Sequence, residues 1–118
     1  MHDNTGITLI TCSGISNTGK LTTKTAEAII RRFPDLIELC VSARCNPGRL
    51  CDALAEAEKV VVLDGCTDCC GRNKVQEQGH DADIHLIATE CGITKDGMKE
   101  PRFDEIELLT TIVLEQLR

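Results

Sequence analysis

Eight cysteines are the residues of this 118-residue chain whose number and spacing point to chemistry. Three of them, Cys66, Cys69 and Cys70, follow an apolar, β-branched run that ends at Asp64. Thiolates bind soft metals and attack disulfides, so such a cluster indicates a metal site or a redox site. A framework of structural disulfides is the weaker interpretation, because those frameworks are typical of small, loop-rich secreted domains.

The overall composition narrows the classes of function. The formal net charge is −6 and the pI is about 5.0, whereas nucleic-acid and membrane surfaces call for a basic face. Phe33 and Phe103 are the only aromatic residues of types Phe, Trp and Tyr, so base stacking has little to use. No apolar run approaches the roughly 20 residues of a spanning helix, and no signal peptide is recognisable. We expect a cytoplasmic protein with one domain over residues 1–118 and no nucleic-acid or membrane partner.

The pattern of apolar and polar residues predicts four strands that alternate with four helices. The strands are expected at 6–12, 36–40, 59–65 and 84–89, and the helices at 17–33, 47–58, 68–78 and 103–117. Asn46 followed by Pro47 is a helix-start signal, because a capping side chain precedes a proline at the first helical position. The alternation predicts a three-layer α/β fold with a four-stranded, mainly parallel sheet. We expect a flavodoxin-like or Rossmann-like strand order of 2-1-3-4.

On this fold the cysteines gather at one edge of the sheet. One cysteine ends or follows each predicted strand: Cys12, Cys40, Cys66 and Cys91. Because the carboxyl ends of parallel strands meet at the same edge, these thiols should converge. Helices are predicted to begin beside Cys12 and Cys66, and helix N-termini stabilise thiolate anions. Zinc accepts four sulfur ligands in a tetrahedron, so this edge is a candidate zinc site.

The loop after the first strand has the glycine and lysine spacing of a phosphate-binding loop. Leu21 stands where such a loop carries the Ser or Thr that ligates magnesium, which argues against a nucleotide hydrolase. A cysteine phosphatase is also disfavoured, because Thr18 and Gly19 stand where an arginine would clamp the oxyanion. The loop is still a candidate anion site, formed by Gly14, Asn17 and Gly19.

The histidines are not expected to join the thiols. His80 precedes the fourth strand, at the opposite edge of the sheet, and His85 falls within that strand. Asp64 precedes a glycine, a pairing typical of turns, although its carboxylate could also orient a ligand or act as a base.

Several of these residues together resemble a known family. Cys12-Ser13-Gly14, the later Cys40, and Asp64-Gly65-Cys66 followed by Cys70 are similar in order and spacing to the DGC-domain family, named after its Asp-Gly-Cys motif. The resemblance covers about residues 8–109. It implies zinc binding, with four cysteines as ligands: Cys12, Cys40, Cys66 and Cys70. Cys69 adds a competing Cys66-x-x-Cys69 pair, and Cys45, Cys51 and Cys91 are further additions.

The sequence therefore predicts an all-cysteine Zn²⁺ site at the carboxyl edge of a parallel sheet, with a role in metal or sulfur handling. An unidentified small molecule or anion is the expected partner. Two alternatives stay open. One is a thiol–disulfide redox enzyme that uses Cys66, Cys69 and Cys70. The other is an iron–sulfur protein, since four thiolates also hold a cluster.

Overall fold

A computed structural model describes residues 6–117 of the chain. Its strands are β1 (Ile7–Thr11), β2 (Leu39–Ser42), β3 (Lys59–Asp64) and β4 (Ile84–Ile87). Its helices are α1 (Asn17–Arg32), α2 (Pro47–Glu56), α3 (Cys70–Glu77) and α4 (Phe103–Gln116), and a short 3-10 helix, Ala88–Cys91, follows β4.

The strands form one sheet in the order β2-β1-β3-β4, and every neighbouring pair is parallel. This confirms the predicted α/β fold and its strand order. β1 and β3 lie in the middle of the sheet, and nearly all of their residues are buried because helices cover both faces. β4 is an edge strand, and its residues are only partly buried.

Two apolar clusters fill the space on either side of the sheet. α1 and α4 cover one face, where Leu9 and Leu63 of the sheet pack against Ile29 and Leu109. α2 and α3 cover the other face, where the buried side chains are Ile10, Val62, Leu50, Leu54 and Val75. Each fully buried aliphatic side chain stabilises the fold by about 1.5–3 kcal/mol. None of the helices within residues 6–117 has the length and apolar character needed to cross a bilayer.

Two helices begin where the sequence supplies a capping side chain. Ser16 Oγ accepts a hydrogen bond from Gly19 N at 3.1 Å at the start of α1. Asn46 Oδ1 accepts one from Arg49 N at 2.8 Å, and Pro47 is the first residue of α2. The helix-start signal at Asn46-Pro47 is therefore confirmed.

The second strand lies later in the chain than predicted. Strand pairing with β1 starts only after Glu38 N donates to Ile7 O at 2.9 Å, and Ile37 fills the core from the turn before the strand. The apolar run at 36–40 is thus partly a core-filling turn, and the prediction that Cys40 ends this strand is wrong. Cys40 is the second residue of β2. α3 also starts later than predicted, at Cys70.

Candidate metal centre

A cavity of about 520 Å³ opens at the carboxyl edge of the sheet. Three thiols line it, and each comes from a separate point: Cys12 follows β1, Cys66 follows β3 and Cys70 is the first residue of α3. Three cationic side chains and one acidic one also line the cavity, namely Arg44, Lys74, Lys95 and Asp68. The arrangement combines soft metal ligands with a positively charged rim.

Cys12 is held firmly at this edge. Its backbone N donates to Leu63 O at 3.0 Å, which extends the pairing of β1 with β3 by one residue. Its thiol is nearly buried, and Sγ lies 3.8 Å from Thr22 Oγ1 in the first turns of α1. Thr22 Oγ1 in turn accepts from Ser13 N at 3.3 Å and donates to Gly19 O at 2.8 Å. The thiol is therefore packed against the N-terminus of α1.

Cys66 and Cys70 have different electrostatic surroundings. Lys95 Nζ donates to Cys66 Sγ at 3.5 Å, so Cys66 has a positive partner. Cys70 is exposed overall, but partial burial of its thiol raises the pKa, and negative charge at the neighbouring Cys12 or Asp64 would raise it further. Because these groups oppose ionisation of Cys70, a metal ion is the group that would allow the thiols to ionise together.

Cys40 lies apart from these three thiols. In β2 it pairs with Leu9, and it packs with the cluster under α1 and α4, whereas its neighbour Val41 packs on the opposite face of the sheet. Burial, together with the charge of Glu27, raises the pKa of Cys40 to about 11. Among the described residues that line the cavity, Cys40 is absent. Three of the four predicted ligands therefore line one cavity, although their sulfur atoms do not all lie within 4.8 Å of one another.

Two of the three residues of the candidate anion loop line the cavity, and the third does not. Gly14 and Gly19 line the cavity, and they touch so closely that a Cβ on Gly19 would lie 2.7 Å from the backbone of Gly14. Asn17 instead binds the segment before α4: its Nδ2 donates to Thr94 O at 2.8 Å and its Oδ1 accepts from Asp96 N at 2.7 Å. Asn17 is a positioning residue of that segment, since both ends of its amide are already used.

The remaining cysteines are scattered, apart from Cys69. Cys45 packs beside the cluster under α2 and α3, and Cys51 is exposed on α2. Cys91 ends the 3-10 helix and packs beside the other cluster; burial raises the pKa of its thiol, and Glu90 raises it further.

A second group of ligand atoms was not expected from the sequence. Asp64, Cys69 and His85 each offer one such atom, and these atoms lie within 4.8 Å of one another. Asp64 Oδ1 accepts from Gly71 N at 2.6 Å, while its Oδ2 accepts from Arg72 N at 3.2 Å and lies 2.7 Å from His85 Nε2. In the part of the chain that the structure describes, no other three residues of types His, Cys, Asp and Glu meet this distance.

The register of the sheet explains this group. Val62 pairs with His85 across β3 and β4, so His85 lies diagonally beside Asp64, two residues further along β3 on the same face. The expectation that Asp64 mainly forms a turn is wrong, because its carboxylate caps α3, whose own N-cap residue Cys69 makes no side-chain capping bond. The alternation of side chains along β4 is the one sequence feature that bears on this contact, and it does not determine how β4 pairs with β3.

Fold and site together define a class: an α/β protein with a cysteine-lined cavity at the carboxyl edge of a parallel sheet. The DGC-domain family model matches residues 8–113, nearly the whole chain. The chain belongs to the DGC-domain family. Comparisons with curated proteins and with solved structures gave no match.

Proposed function

We propose that this DGC-domain protein binds one Zn²⁺ ion through the thiolates of Cys12, Cys66 and Cys70. The observation that carries the proposal is that these three thiols line a single cavity. Their sulfur atoms do not all lie within 4.8 Å of one another, so zinc binding would have to draw them closer together. Zinc takes cysteine sulfur at about 2.3 Å in a tetrahedral arrangement, and three ligands from separate elements suit it. Cys40 packs with the cluster under α1 and α4 and does not line the cavity, so the proposed set has three cysteines.

Three protein ligands leave one tetrahedral position open. Zinc sites of that kind take water or a substrate in the fourth position, whereas structural sites are closed by four protein ligands. Arg44, Lys74 and Lys95 line the cavity and favour an anionic occupant. We infer that the fourth ligand is a small anion or a small thiolate, which fits a role in metal or sulfur handling.

The two alternative functions have weaker support. A thiol–disulfide enzyme needs a thiol with a lowered pKa, but burial raises the pKa of Cys69 and of Cys70, and the charge of Asp64 adds to both. An iron–sulfur cluster is held by four thiolates, and three line this cavity among the described residues.

Zinc analysis of anaerobically purified full-length protein tests the proposal. Cys66→Ser and Cys70→Ser should each remove one equivalent of zinc from the protein, while Cys51→Ser, which alters an exposed cysteine of α2, should remove none. Alkylation followed by mass spectrometry gives a second readout: zinc should protect Cys12, Cys66 and Cys70 but not Cys51.

The other outcomes are equally distinct. Full zinc occupancy in Cys66→Ser or Cys70→Ser would refute the ligand set. A brown protein with iron and sulfide would replace zinc with a cluster. A metal-free protein whose cysteines form a disulfide near cytosolic potentials would favour the redox enzyme.

A further inference from the structure

We propose that Asp64, Cys69 and His85 form a second metal site, separate from the cavity, that takes a zinc ion through an oxygen, a sulfur and a nitrogen atom. The three ligand atoms lie within 4.8 Å of one another. Zinc accepts all three atom types, and mixed sets of this kind are found in zinc sites with three protein ligands.

The carboxylate of Asp64 is already oriented for this role. Asp64 is 1% exposed, and the backbone N–H groups of Gly71 and Arg72 fix both of its oxygens. Groups that hold a metal ligand from behind strengthen metal binding by orienting the ligand beforehand. A Cβ on Gly71 would lie 2.9 Å from Asp64 Oδ1, so the glycine is what permits this close approach.

His85 would supply the nitrogen ligand of the second site. Its Nε2 lies 2.7 Å from Asp64 Oδ2. Metal binds to a ring nitrogen that carries no proton, so any proton on Nε2 would move to Nδ1 or leave to solvent, and Cys69 would release its thiol proton to solvent. The side chain of His85 is 17% exposed on the edge strand β4, which gives an ion a path to the site from solvent.

Cys69 has a backbone conformation that calls for an explanation. Its φ of 53° and ψ of 45° place it in the left-handed region, which a non-glycine residue rarely adopts. Because Asp64 caps α3, the thiol of Cys69 is not needed for capping. Strained backbone of this kind is concentrated at functional sites, where it aims a side chain.

The two sites share no ligand. Cys69 and Cys70 are adjacent in the chain, yet Cys70 lines the cavity and Cys69 lies with Asp64 and His85. The left-handed turn at Cys69 separates their side chains. The second site can therefore be tested in a protein whose first site is disabled, and failure of either proposal leaves the other standing.

The test uses the full-length Cys66→Ser/Cys70→Ser double variant as background, titrated with Zn²⁺ against a chromophoric chelator under reducing conditions. This background should still bind one equivalent of zinc. Adding Cys69→Gly or His85→Gln should weaken that binding by at least about 100-fold, the upper range for loss of a supporting group alone. His80→Gln, a change at an exposed histidine outside the group, should leave it unaltered.

The Cys69→Gly variant also serves as a control for correct folding. Glycine suits a φ of 53°, so Cys69→Gly removes the thiol and relieves the backbone, and it should melt no lower than the background. Binding that is absent from the background, or unchanged by Cys69→Gly, would overturn the second site. If the double variant does not fold, alkylation of the otherwise unaltered chain decides: zinc should protect Cys69, and His85→Gln should abolish that protection while Cys70 stays protected. Equal protection of Cys69 in both proteins would also overturn the proposal.

Discussion

Asp64→Asn is predicted to destabilise the metal-free protein by roughly 2–4 kcal/mol. The carboxylate accepts hydrogen bonds from Gly71 N at 2.6 Å and from Arg72 N at 3.2 Å, and it faces His85 Nε2 at 2.7 Å. Asparagine keeps one oxygen and replaces the other with an NH₂ group. If the oxygen stays on Gly71, the NH₂ group meets the N–H of Arg72, so a donor faces a donor.

The magnitude follows from these contacts. A hydrogen bond to a charged group contributes about 1.5–3 kcal/mol, and a buried donor left without an acceptor costs about 1–3 kcal/mol. The substitution also removes a negative charge from the N-terminus of α3, an interaction that reaches about 2 kcal/mol in partly buried sites. Asp64 is 1% exposed, so water does not screen the loss at the carboxylate. Arg72 is only partly buried, so water offsets some of the loss at its N–H and keeps the total below the full sum.

Urea unfolding, followed by circular dichroism in chelator and reductant, measures this change without any contribution from bound metal. The slope of free energy against urea should stay the same, since the surface exposed on unfolding is unchanged. Asp52→Asn is the matched control, because Asp52 is exposed on α2, and it should change stability by less than about 0.5 kcal/mol. An equally small change in Asp64→Asn would refute the role assigned to this carboxylate.

Two further predictions concern Gly65 and Cys40. Gly65→Ala should cost about 1–3 kcal/mol in thermal or urea unfolding, because its Cβ would lie 2.7 Å from the backbone carbon of Thr18. Gly48→Ala, whose Cβ would meet its nearest atom at 3.4 Å, should instead stabilise α2 by up to about 1 kcal/mol, and a loss as large as that of Gly65→Ala would contradict the steric argument. Burial, with the charge of Glu27, raises the pKa of Cys40 from 9.0 to about 11, so the folded state keeps this proton while the unfolded chain loses it. Stability should therefore fall as the pH rises from 9.0 towards 11, and less steeply in Cys40→Ala; identical slopes in the two proteins would contradict the shift.

The strand order and the convergence of Cys12, Cys66 and Cys70 follow from the sequence pattern by general rules. Alternating strands and helices require parallel pairing with crossovers, and parallel pairing brings the strand ends to one edge. Cys12 and Cys66 directly follow β1 and β3, whose long β-branched and apolar runs make their ends easy to locate. The positions of Cys12 and Cys66 at this edge could therefore be predicted from the sequence, whereas their role as metal ligands stays a prediction.

Cys40 shows why the rest of the site was harder to predict. The run at 36–40 is apolar except for Glu38, and such a short run alone does not distinguish a strand from a buried turn. The bond from Glu38 N to Ile7 O and the pairing of Cys40 with Leu9 set the register. Cys40 lies two residues before the end of β2 and pairs with Leu9, three residues before Cys12, so a small error in the strand bounds takes a predicted ligand away from the carboxyl edge.

The position of His85 beside Asp64 could not be predicted, for a related reason. Its approach to Asp64 depends on pairing between β3 and β4, which are separated by the whole of α3. No local pattern encodes that register, and a histidine in mid-strand is not expected to reach the carboxyl edge. The contact arises because Asp64 is the last residue of β3 and His85 pairs two positions before it.

Each residue of the Asp-Gly-Cys triplet at 64–66 makes different contacts. Asp64 points towards α3 and His85, where it caps the helix and joins the second group of ligand atoms. Gly65 allows β3 to approach the start of α1, since a Cβ there would meet the backbone of Thr18. Cys66 lines the cavity, which lies between the start of α1, next to Gly65, and the start of α3, next to Asp64. The distance between the starts of α1 and α3 therefore depends on the triplet, so a change at Asp64 or Gly65 should alter metal binding at Cys66 without touching a ligand there.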